Sequence, residues 1–257
     1  MGGAGSMKTV KEITEEFEML PCGERGDLYR IYQDDPRSGV QKLLERYRKK
    51  DDALEKEKLR MDEMLQYERK YSHLGFLCGI DEAGRGPLAG PVVAGAVILP
   101  QDKKILYLND SKKLSPAKRE ELYDVIMDEA VAVGVGIVGP ARIDEINILQ
   151  ATYEAMRQAL GKLPVKPQLL LNDAVTIPGV DMPQVPIIKG DAKSASIAAA
   201  SIIAKVTRDR LMQDYDKALP EYGFASNKGY GSAEHIAALK KYGPSPIHRR
   251  SFITHFI

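Results

Sequence analysis

Residues 79–86 read Gly-Ile-Asp-Glu-Ala-Gly-Arg-Gly. The run just before them, residues 74–78, is apolar, too short for a helix and rich in strand formers, which predicts a buried β-strand. Asp81 and Glu82 therefore stand where a core strand ends, and there mutual repulsion and partial desolvation disfavour both ionised forms. A bound cation would remove that cost, so the stretch predicts a metal site.

Glycines flank Arg85 at positions 84 and 86. They allow backbone amides to approach a bulky ligand and to adopt positive φ where a turn needs it. Metal-binding carboxylates beside a glycine–arginine turn indicate a phosphate-bearing substrate. Alone, the Asp-Glu pair also fits a solvated turn or a helix N-terminus, where the dipole favours acids.

Two further acids follow apolar strands. Asp173 comes after a predicted strand at 168–172, and Asp191 comes after one at 185–189. Ligands collect at the carboxyl ends of strands in open α/β sheets, so we expect Asp81, Asp173 and Asp191 to meet at one site. The alternatives are a loop-initiating role for Asp173 and a helix N-cap role for Asp191.

Glu82 needs a separate explanation because adjacent strand residues point to opposite faces. We expect the first strand to end at Asp81 and the glycine turn to aim Glu82 at the site. Four carboxylates without nearby His or Cys suit Mg²⁺ or Mn²⁺ rather than zinc. Two such ions about 4 Å apart could activate a water and stabilise the leaving 3′-oxygen of a phosphodiester.

The order of elements predicts a mixed-sheet α/β domain, with three early strands and then alternating helices and strands. The other predicted strands cover residues 91–99 and 132–138, and the predicted helices cover residues 115–130, 140–160, 194–218 and 233–242. The short glycine-rich link between the first two strands favours an antiparallel pair.

The N-terminal quarter differs in character from the rest. Residues 1–6 are typical of an expression scar, residues 7–71 predict a helical extension, and residues 72–257 form the main domain. A capping box at Thr9 starts the first helix. A partial heptad within residues 38–71 leaves dimerisation through a coiled coil open, although Asp51 and Lys58 interrupt it.

Composition restricts the class of protein. Of the 257 residues, 44% are hydrophobic and 28% are charged, which is typical of soluble globular chains, and no apolar run approaches a membrane span. Two cysteines argue against a disulfide framework and favour a reducing cytoplasm. The net charge is +1, but residues 186–257 hold eleven Lys and Arg against six Asp and Glu. This basic C-terminal segment would suit the binding of a polyanion; the alternative is a merely solvated surface.

The segment from Asp81 to Val93, Asp-Glu-Ala-Gly-Arg-Gly-Pro-Leu-Ala-Gly-Pro-Val-Val, resembles the signature of type 2 ribonuclease H (ribonuclease HII) of bacteria. Further similar blocks bring the match to roughly residues 74–254; they lie at 109–114, 189–194, 228–231 and 246–252. The resemblance implies a ribonuclease H-like fold, a mixed central β-sheet flanked by helices, with a small helical N-terminal appendage. It assigns metal-binding catalytic roles to Asp81, Glu82, Asp173 and Asp191.

The same resemblance implies the substrate, an RNA/DNA hybrid or a DNA duplex containing ribonucleotides. The carboxylates lead us to expect Mg²⁺ or Mn²⁺, and we expect a monomer because nothing in the sequence demands more. Gly84, Arg85 and Gly86 would read the 2′-hydroxyl, and Tyr230 would pack against the adjoining sugar. The donors expected on backbone phosphates are Asn109, Ser111, Lys112, Lys189, Lys193 and Ser194. Lys113 and Lys205 are assigned to solvated faces, and His248 to a structural hydrogen bond.

Three points stay open at this level. Asn172 stands where an apolar residue is commoner, which affects either the site or only its hydrogen bonding. Type 3 ribonuclease H is a near alternative, but its last metal ligand is a Glu farther along and its N-terminal domain is larger and strand-rich. A non-catalytic nucleic-acid-binding module with structural acids is the alternative from another class.

Overall fold

The computed structural model describes residues 7–257, so the interpretation of residues 1–6 as an expression scar lies outside it. The chain forms two compact units that divide between Arg60 and Met61, inside a helix. The sequence-based boundary lies later, at residues 71 and 72. The difference arises because Met61, Met64 and Leu65 are buried in the core of the second unit. No helix within residues 7–257 is long and apolar enough to cross a membrane.

The first unit is helical and holds its own small core. Its helices are α1 (Val10–Met19), α2 (Gly26–Tyr32) and most of α3 (Ser38–Met64). The predicted capping box forms, since Thr9 Oγ1 accepts from the amide of Glu12 at 3.2 Å and Glu12 Oε2 accepts from the amide of Thr9 at 2.6 Å.

The first half of the partial heptad is used inside this first unit. Val40, Leu44 and Tyr47 are buried against Ile13 and Phe17 of α1. These side chains are therefore unavailable to a second chain as a coiled-coil seam.

Asp51, which interrupts the heptad, has a structural role in the same unit. Its carboxylate accepts from Arg25 at 2.6 Å and from the Tyr29 hydroxyl at 2.7 Å. The interruption thus joins α3 to the α2 region by a half-buried ion pair.

The second unit is the predicted mixed-sheet α/β domain. Its strands are β1 (Leu77–Ala83), β2 (Val92–Ile98), β3 (Ala132–Val138), β4 (Leu169–Asp173) and β5 (Gln184–Ile187). They lie in the order β3-β2-β1-β4-β5, with β1–β2 and β2–β3 antiparallel and β1–β4 and β4–β5 parallel. The helices are α4 (Gln66–Tyr71), α5 (Pro116–Glu129), α6 (Pro140–Gly161), α7 (Ala195–Ala218), α8 (Phe224–Asn227), α9 (Ala233–Tyr242) and α10 (Arg250–Ile253).

Helix α6 is interrupted, although the sequence predicts one continuous helix over residues 140–160. Asn147 has φ 66° and ψ 164°, which breaks the helix there. Asn tolerates positive φ, and its side-chain oxygen accepts from the amides of Leu149 and Gln150, so it caps the second half of the helix.

Glycines in the sheet allow two helices to lie directly on its backbone. A Cβ at Gly79 of β1 would stand 2.1 Å from the carbonyl carbon of Ser196 in α7. A Cβ at Gly136 of β3 would stand 1.8 Å from the carbonyl oxygen of Ala155 in α6. Because these neighbours are backbone atoms, the helices cannot give way by a rotamer change.

We expect Gly79→Ala to lower the free energy of unfolding by about 3 kcal/mol, the upper end for overpacking, because α7 must shift as a body. Urea denaturation followed by circular dichroism measures it. Gly161→Ala is the matched control, since its Cβ meets open space at the end of α6 and Ala is the better helix former. Equal stability of the two variants would contradict the close packing of α7.

Candidate active site

The carboxylates of Asp81, Asp173 and Asp191 converge. Each offers an oxygen, and these oxygens all lie within 4.8 Å of one another. Parallel pairing of β1 with β4 sets Ile80 opposite Asn172, so the next residues, Asp81 and Asp173, are neighbours across the strands. Asp191 lies in a 3-10 turn after β5 rather than directly on a strand end.

The turn that carries Asp191 is fastened to Asp173. The amide of Gly190 donates to Asp173 Oδ1 at 2.7 Å. Lys189 enters the turn with φ 58°, a left-handed conformation. This reversal brings Asp191 back toward the ends of β1 and β4.

The fold stabilises the ionised carboxylates of Asp81, Glu82 and Asp191 poorly. Burial, and next the neighbouring charge of Glu82, raise the pKa of Asp81 well above its usual range, although the Ser201 hydroxyl opposes the shift. Burial raises the pKa of Glu82 and of Asp191 as well. The donors in this cluster are all carboxylate oxygens, so it fits a hard divalent cation, whose charge would favour the ionised forms.

The prediction that β1 ends at Asp81 is wrong. The strand continues to Ala83, pairing Asp81 with Gly95 and Glu82 with Ala94, because the fully buried strand β2 extends the ladder. Glu82 is not among the three converging carboxylates. Its carboxylate accepts a hydrogen bond from Arg85 Nη1 at 3.2 Å. The charge of Glu82 helps to raise the pKa of Asp81, and the charge of Asp173 helps to raise the pKa of Glu82.

A cavity of about 430 Å³ opens beside Asp81 and Glu82. Six of the predicted substrate contacts line it: Gly84, Arg85, Gly86, Ser111, Lys112 and Tyr230. Asp81 and Glu82 therefore share one cavity with the glycine–arginine turn. The roles of these residues in binding stay predictions.

The remaining predicted phosphate contacts lie elsewhere. Lys189 and Lys193 are exposed on either side of Asp191, and half-buried Asn109 accepts from the amide of Asp110. Ser194 is fully buried; its hydroxyl donates to Glu68 at 2.6 Å and caps α7 by accepting from the amide of Ile197. Ser194 is therefore not a phosphate contact in this structure, because its hydroxyl is consumed inside the protein.

Asn172 is buried and works away from the carboxylates. Its amide nitrogen donates to the carbonyl of Val175 and to Gln184 Oε1. The presence of Asn rather than an apolar residue at position 172 therefore affects the hydrogen bonding between β4 and β5.

Two residues of α7 that the sequence analysis did not place at the site line the same cavity. Ser201 contacts Asp81 and lies 3.0 Å from the Ser111 hydroxyl. Lys205, expected on a solvated face, is largely buried, pairs with Asp209 at 2.7 Å, and has its pKa lowered by burial. Because Ser201 and Lys205 are four residues apart, both lie on the helix face toward β1. This helical spacing is the feature of the sequence that could have identified them as site residues.

Two buried arginines hold the glycine–arginine turn from inside. Arg249 donates to the carbonyls of Gly84, Arg85 and Gly90, and burial lowers its pKa to about 9. Arg208 donates to the carbonyls of Pro91, Lys228 and Ala89. Within residues 7–257 neither guanidinium has a carboxylate within 4.0 Å. Positive charge is thus buried next to the cavity, which favours a polyanionic ligand.

A pair of buried histidines fixes the backbone of Tyr230. The amide of Ser245 donates to His248 Nδ1 at 3.0 Å, so the proton of the neutral ring is on Nε2. His248 Nε2 then donates to His235 Nε2 at 3.0 Å, and His235 Nδ1 donates to the carbonyl of Tyr230 at 2.8 Å. The chain of bonds requires both rings to be neutral, and His248 has the structural role expected of it.

The histidine pair predicts loss of stability in acid. Burial, and next the charges of His235 and Arg250, lower the pKa of His248 to about 4. In the unfolded chain His248 takes up a proton near pH 6.5, whereas in the folded chain it does so only near pH 4. The free energy of unfolding therefore falls as the pH drops from about 6.5 to about 4. We expect His248 to account for up to about 3 kcal/mol, measured by urea denaturation at several pH values.

His248→Gln removes the titrating ring, so the slope of stability against pH between about 6.5 and 4 should decrease. His255→Gln, at an exposed position, is the control and should keep the wild-type slope. An unchanged slope in His248→Gln would contradict a neutral buried pair.

Comparison with known proteins identifies the family. The family model described as ribonuclease HII matches residues 78–255, and the model described as ribonuclease HII N-terminal domain matches residues 9–72. The ribonuclease HII of Lachnoclostridium phytofermentans is 63% identical over 244 residues, which cover 95% of this chain and 96% of that protein. The ribonuclease HII of Clostridioides difficile is 52% identical over 254 residues, 98% of each chain.

The fold agrees with this match. The crystal structure of ribonuclease H2 from Pyrococcus horikoshii has a TM-score of 0.58 at 33% identity, covering 68% of this chain and 93% of that one. The chain therefore belongs to the ribonuclease HII family and is a ribonuclease H enzyme.

Proposed function

We propose that this ribonuclease H hydrolyses the RNA strand of RNA/DNA hybrids and nicks 5′ of single ribonucleotides embedded in duplex DNA. It leaves 5′-phosphate and 3′-hydroxyl ends. The observation that carries the proposal is the convergence of Asp81, Asp173 and Asp191 within 4.8 Å, next to the cavity that the glycine–arginine turn lines.

Recognition of the 2′-hydroxyl follows from how the turn is held. Arg249 binds the carbonyls of Gly84 and Arg85, and every peptide bond in the described chain is trans. In a trans peptide the N–H points opposite to the C=O, so the amides of Arg85 and Gly86 point away from Arg249. These amides supply donors for the oxygen of a 2′-hydroxyl, which distinguishes RNA from DNA.

Tyr230 is suited to sense the neighbouring nucleotide. Its side chain is half exposed, and its ring lies near Gly86, where an added Cβ would be 3.9 Å from Cε1. His235 holds its backbone carbonyl, so the ring is supported from inside. A sugar adjoining the ribonucleotide in the turn would pack against this ring.

The four acids Asp81, Glu82, Asp173 and Asp191 would hold two Mg²⁺ or Mn²⁺ ions, with Asp81 and Asp173 central. The bound ions supply Lewis acidity that activates water and stabilises charge on the leaving oxygen. The chain itself orients the scissile phosphate through Lys112 and Lys205. The attacking water would release one proton to solvent as its oxygen bonds to phosphorus, the bond from phosphorus to the 3′-oxygen would break, and the 3′-oxygen would take up one proton from solvent.

We also propose a cytoplasmic monomer. Cys22 and Cys78 are both free, which suits a reducing compartment, and Val40, Leu44 and Tyr47 are buried within one chain.

The decisive experiment uses a DNA duplex that contains one ribonucleotide. We expect cleavage 5′ of the ribonucleotide when Mg²⁺ or Mn²⁺ is added, mapped on a sequencing gel. Asp81→Asn should bind the duplex normally but lose at least about 10²-fold in rate, because the acid cluster loses its buried charge. Cleavage confined to longer RNA tracts would indicate a type 3 activity, and undiminished cleavage by Asp81→Asn would rule out the mechanism.

The packing role of Tyr230 predicts a selective loss. Tyr230→Ala should lower kcat/KM on the single-ribonucleotide duplex about tenfold or more, because a base or sugar loses its stacking surface. Tyr230→Phe keeps the ring and is the matched control, expected within about threefold of wild type. Equal losses in the two variants would show that the hydroxyl, rather than the ring, matters.

A further inference from the structure

Tyr107 is held in a backbone conformation that a large side chain rarely adopts. With a φ of 71°, it is the only aromatic residue with positive φ within residues 7–257. For a bulky residue such an angle is strained, and strain of this kind persists only where the surroundings impose it. Here they impose it, because Ile105 and Leu108 are buried in the core on either side. Gly or Asn would meet the same requirement at a lower cost in stability.

The side chain of Tyr107 faces solvent rather than the core. It is 44% exposed and lines a surface cavity of about 310 Å³. The ammonium of Lys118 lies 4.6 Å from the centre of its ring. A strained backbone that displays an aromatic ring to solvent is unfavourable for the fold alone, and such strain is concentrated at binding sites. The conformation of Tyr107 is therefore explained if a ligand uses the ring.

The loop that carries Tyr107 leads directly into the catalytic cavity. Ser111 and Lys112, which follow it in the chain, line that cavity. Four residues of extended chain span at most about 14 Å, so the Cα atoms of Tyr107 and Ser111 lie no farther apart than that. Arg119 donates to the carbonyls of Ser111 and Leu114, which fixes the end of the loop. Tyr107 is thus presented from an anchored loop at the edge of the site.

The charge of this segment favours a polyanionic ligand. Residues 103–119 hold six Lys and Arg against one Asp, which is a net charge of +5 in a chain whose total is +1. Lys112 and Lys113 are exposed on the same loop as Tyr107. Lys118, beside the ring, is also bonded to Glu121 at 2.7 Å. The two exposed lysines are therefore better suited than Lys118 to neutralise phosphates.

We propose that Tyr107 is a second substrate contact, whose ring packs against a sugar of the duplex beside the cleavage site while Lys112 and Lys113 neutralise neighbouring phosphates. The ring meets the backbone of the duplex because the paired bases are stacked on one another inside it. This inference rests on the proposed function, since it takes the substrate duplex as the ligand.

The reach of the loop limits where on the duplex this contact lies. Successive phosphates of one strand are about 3.4 Å apart along the duplex axis. A span of about 14 Å therefore places the sugar at Tyr107 within about four nucleotides of the nucleotide next to Ser111. Tyr107 consequently contacts only one of the two arms of duplex that flank the ribonucleotide.

The experiment measures binding of the full-length protein to a fluorescein-labelled DNA duplex with one central ribonucleotide. Fluorescence anisotropy is recorded in EDTA, so that cleavage does not intervene. We expect Tyr107→Ala to raise the Kd about fivefold, because the ring surface is lost. Tyr107→Phe keeps the ring and is the matched control, expected within about twofold of wild type. An unchanged Kd in Tyr107→Ala would overturn the proposal.

The salt dependence of binding tests the lysine contact. Lys113→Gln should reduce the slope of log Kd against log salt concentration by about 0.9, the value for one phosphate. Lys162→Gln, at an exposed position at the end of α6, is the control and should leave the slope unchanged. Equal slopes for Lys113→Gln and wild type would remove the phosphate contact from the proposal.

Shortened duplexes locate the contact. One duplex lacks the arm 5′ of the ribonucleotide, and another lacks the arm 3′ of it. For one of the two, Tyr107→Ala should bind as tightly as wild type, because the contacted sugar is missing. For the other, the loss of about fivefold should remain. The same outcome for both shortened duplexes would contradict a contact with a single arm and would overturn the proposal.

Thermal stability separates a binding role from a structural one. Tyr107→Asn introduces a residue that tolerates the left-handed angle, so its Tm should equal that of wild type or exceed it by up to about 4 °C. Its Kd should rise as in Tyr107→Ala. A lower Tm with an unchanged Kd would show that Tyr107 serves the fold alone. If the wild type does not bind the duplex, the proposed function fails; if it binds and the Tyr107 variants bind equally well, only this inference fails.

Discussion

The contact between the backbone of α7 and the backbones of β1 and β2 is the constraint on which the rest of the structure depends. Gly79 and Gly95 leave room for the carbonyls of Ser196 and Ala200, and any side chain there would push the helix away. The helix in this position brings Ser201 and Lys205 to the acid cluster. Its first turn follows directly on the segment that carries Asp191. The depth of one helix thus sets the geometry of the site.

Buried charges of opposite sign that the fold compensates poorly lie near one another at this site. The buried acids repel one another, and among residues 7–257 the hydrogen bonds of Arg208 and Arg249 beside the glycine–arginine turn go to carbonyl groups. Each arrangement costs stability on its own. The acids favour cations and the arginines favour a polyanion, so a divalent metal with a nucleic-acid strand relieves both. The burial that disfavours the charges is also what makes their interaction with ligands strong.

Three of the errors of sequence reasoning share one cause, which is that local pattern does not report what lies across the fold. β1 was expected to end at Asp81, but pairing with buried β2 carries it on to Ala83. Ser194 was expected on a phosphate, but Glu68, far away in sequence, takes its hydroxyl. Lys205 was expected in solvent, but α7 turns it toward the cavity. Each outcome depends on packing against a segment that is not adjacent in sequence.

The sequence by itself determined the periodicities, the mixed-sheet α/β class, the antiparallel pairing of the first two strands, and the acids that follow apolar strands. These follow from local rules, since side chains alternate on strands and hydrophobic runs must be buried. Only the tertiary structure decided that Glu82 stands apart from the three converging carboxylates, that two arginines hold the glycine–arginine turn, and that His235 and His248 support Tyr230. The physical reason is that convergence depends on how closely helices and strands approach, and that distance results from packing between segments that are remote along the chain.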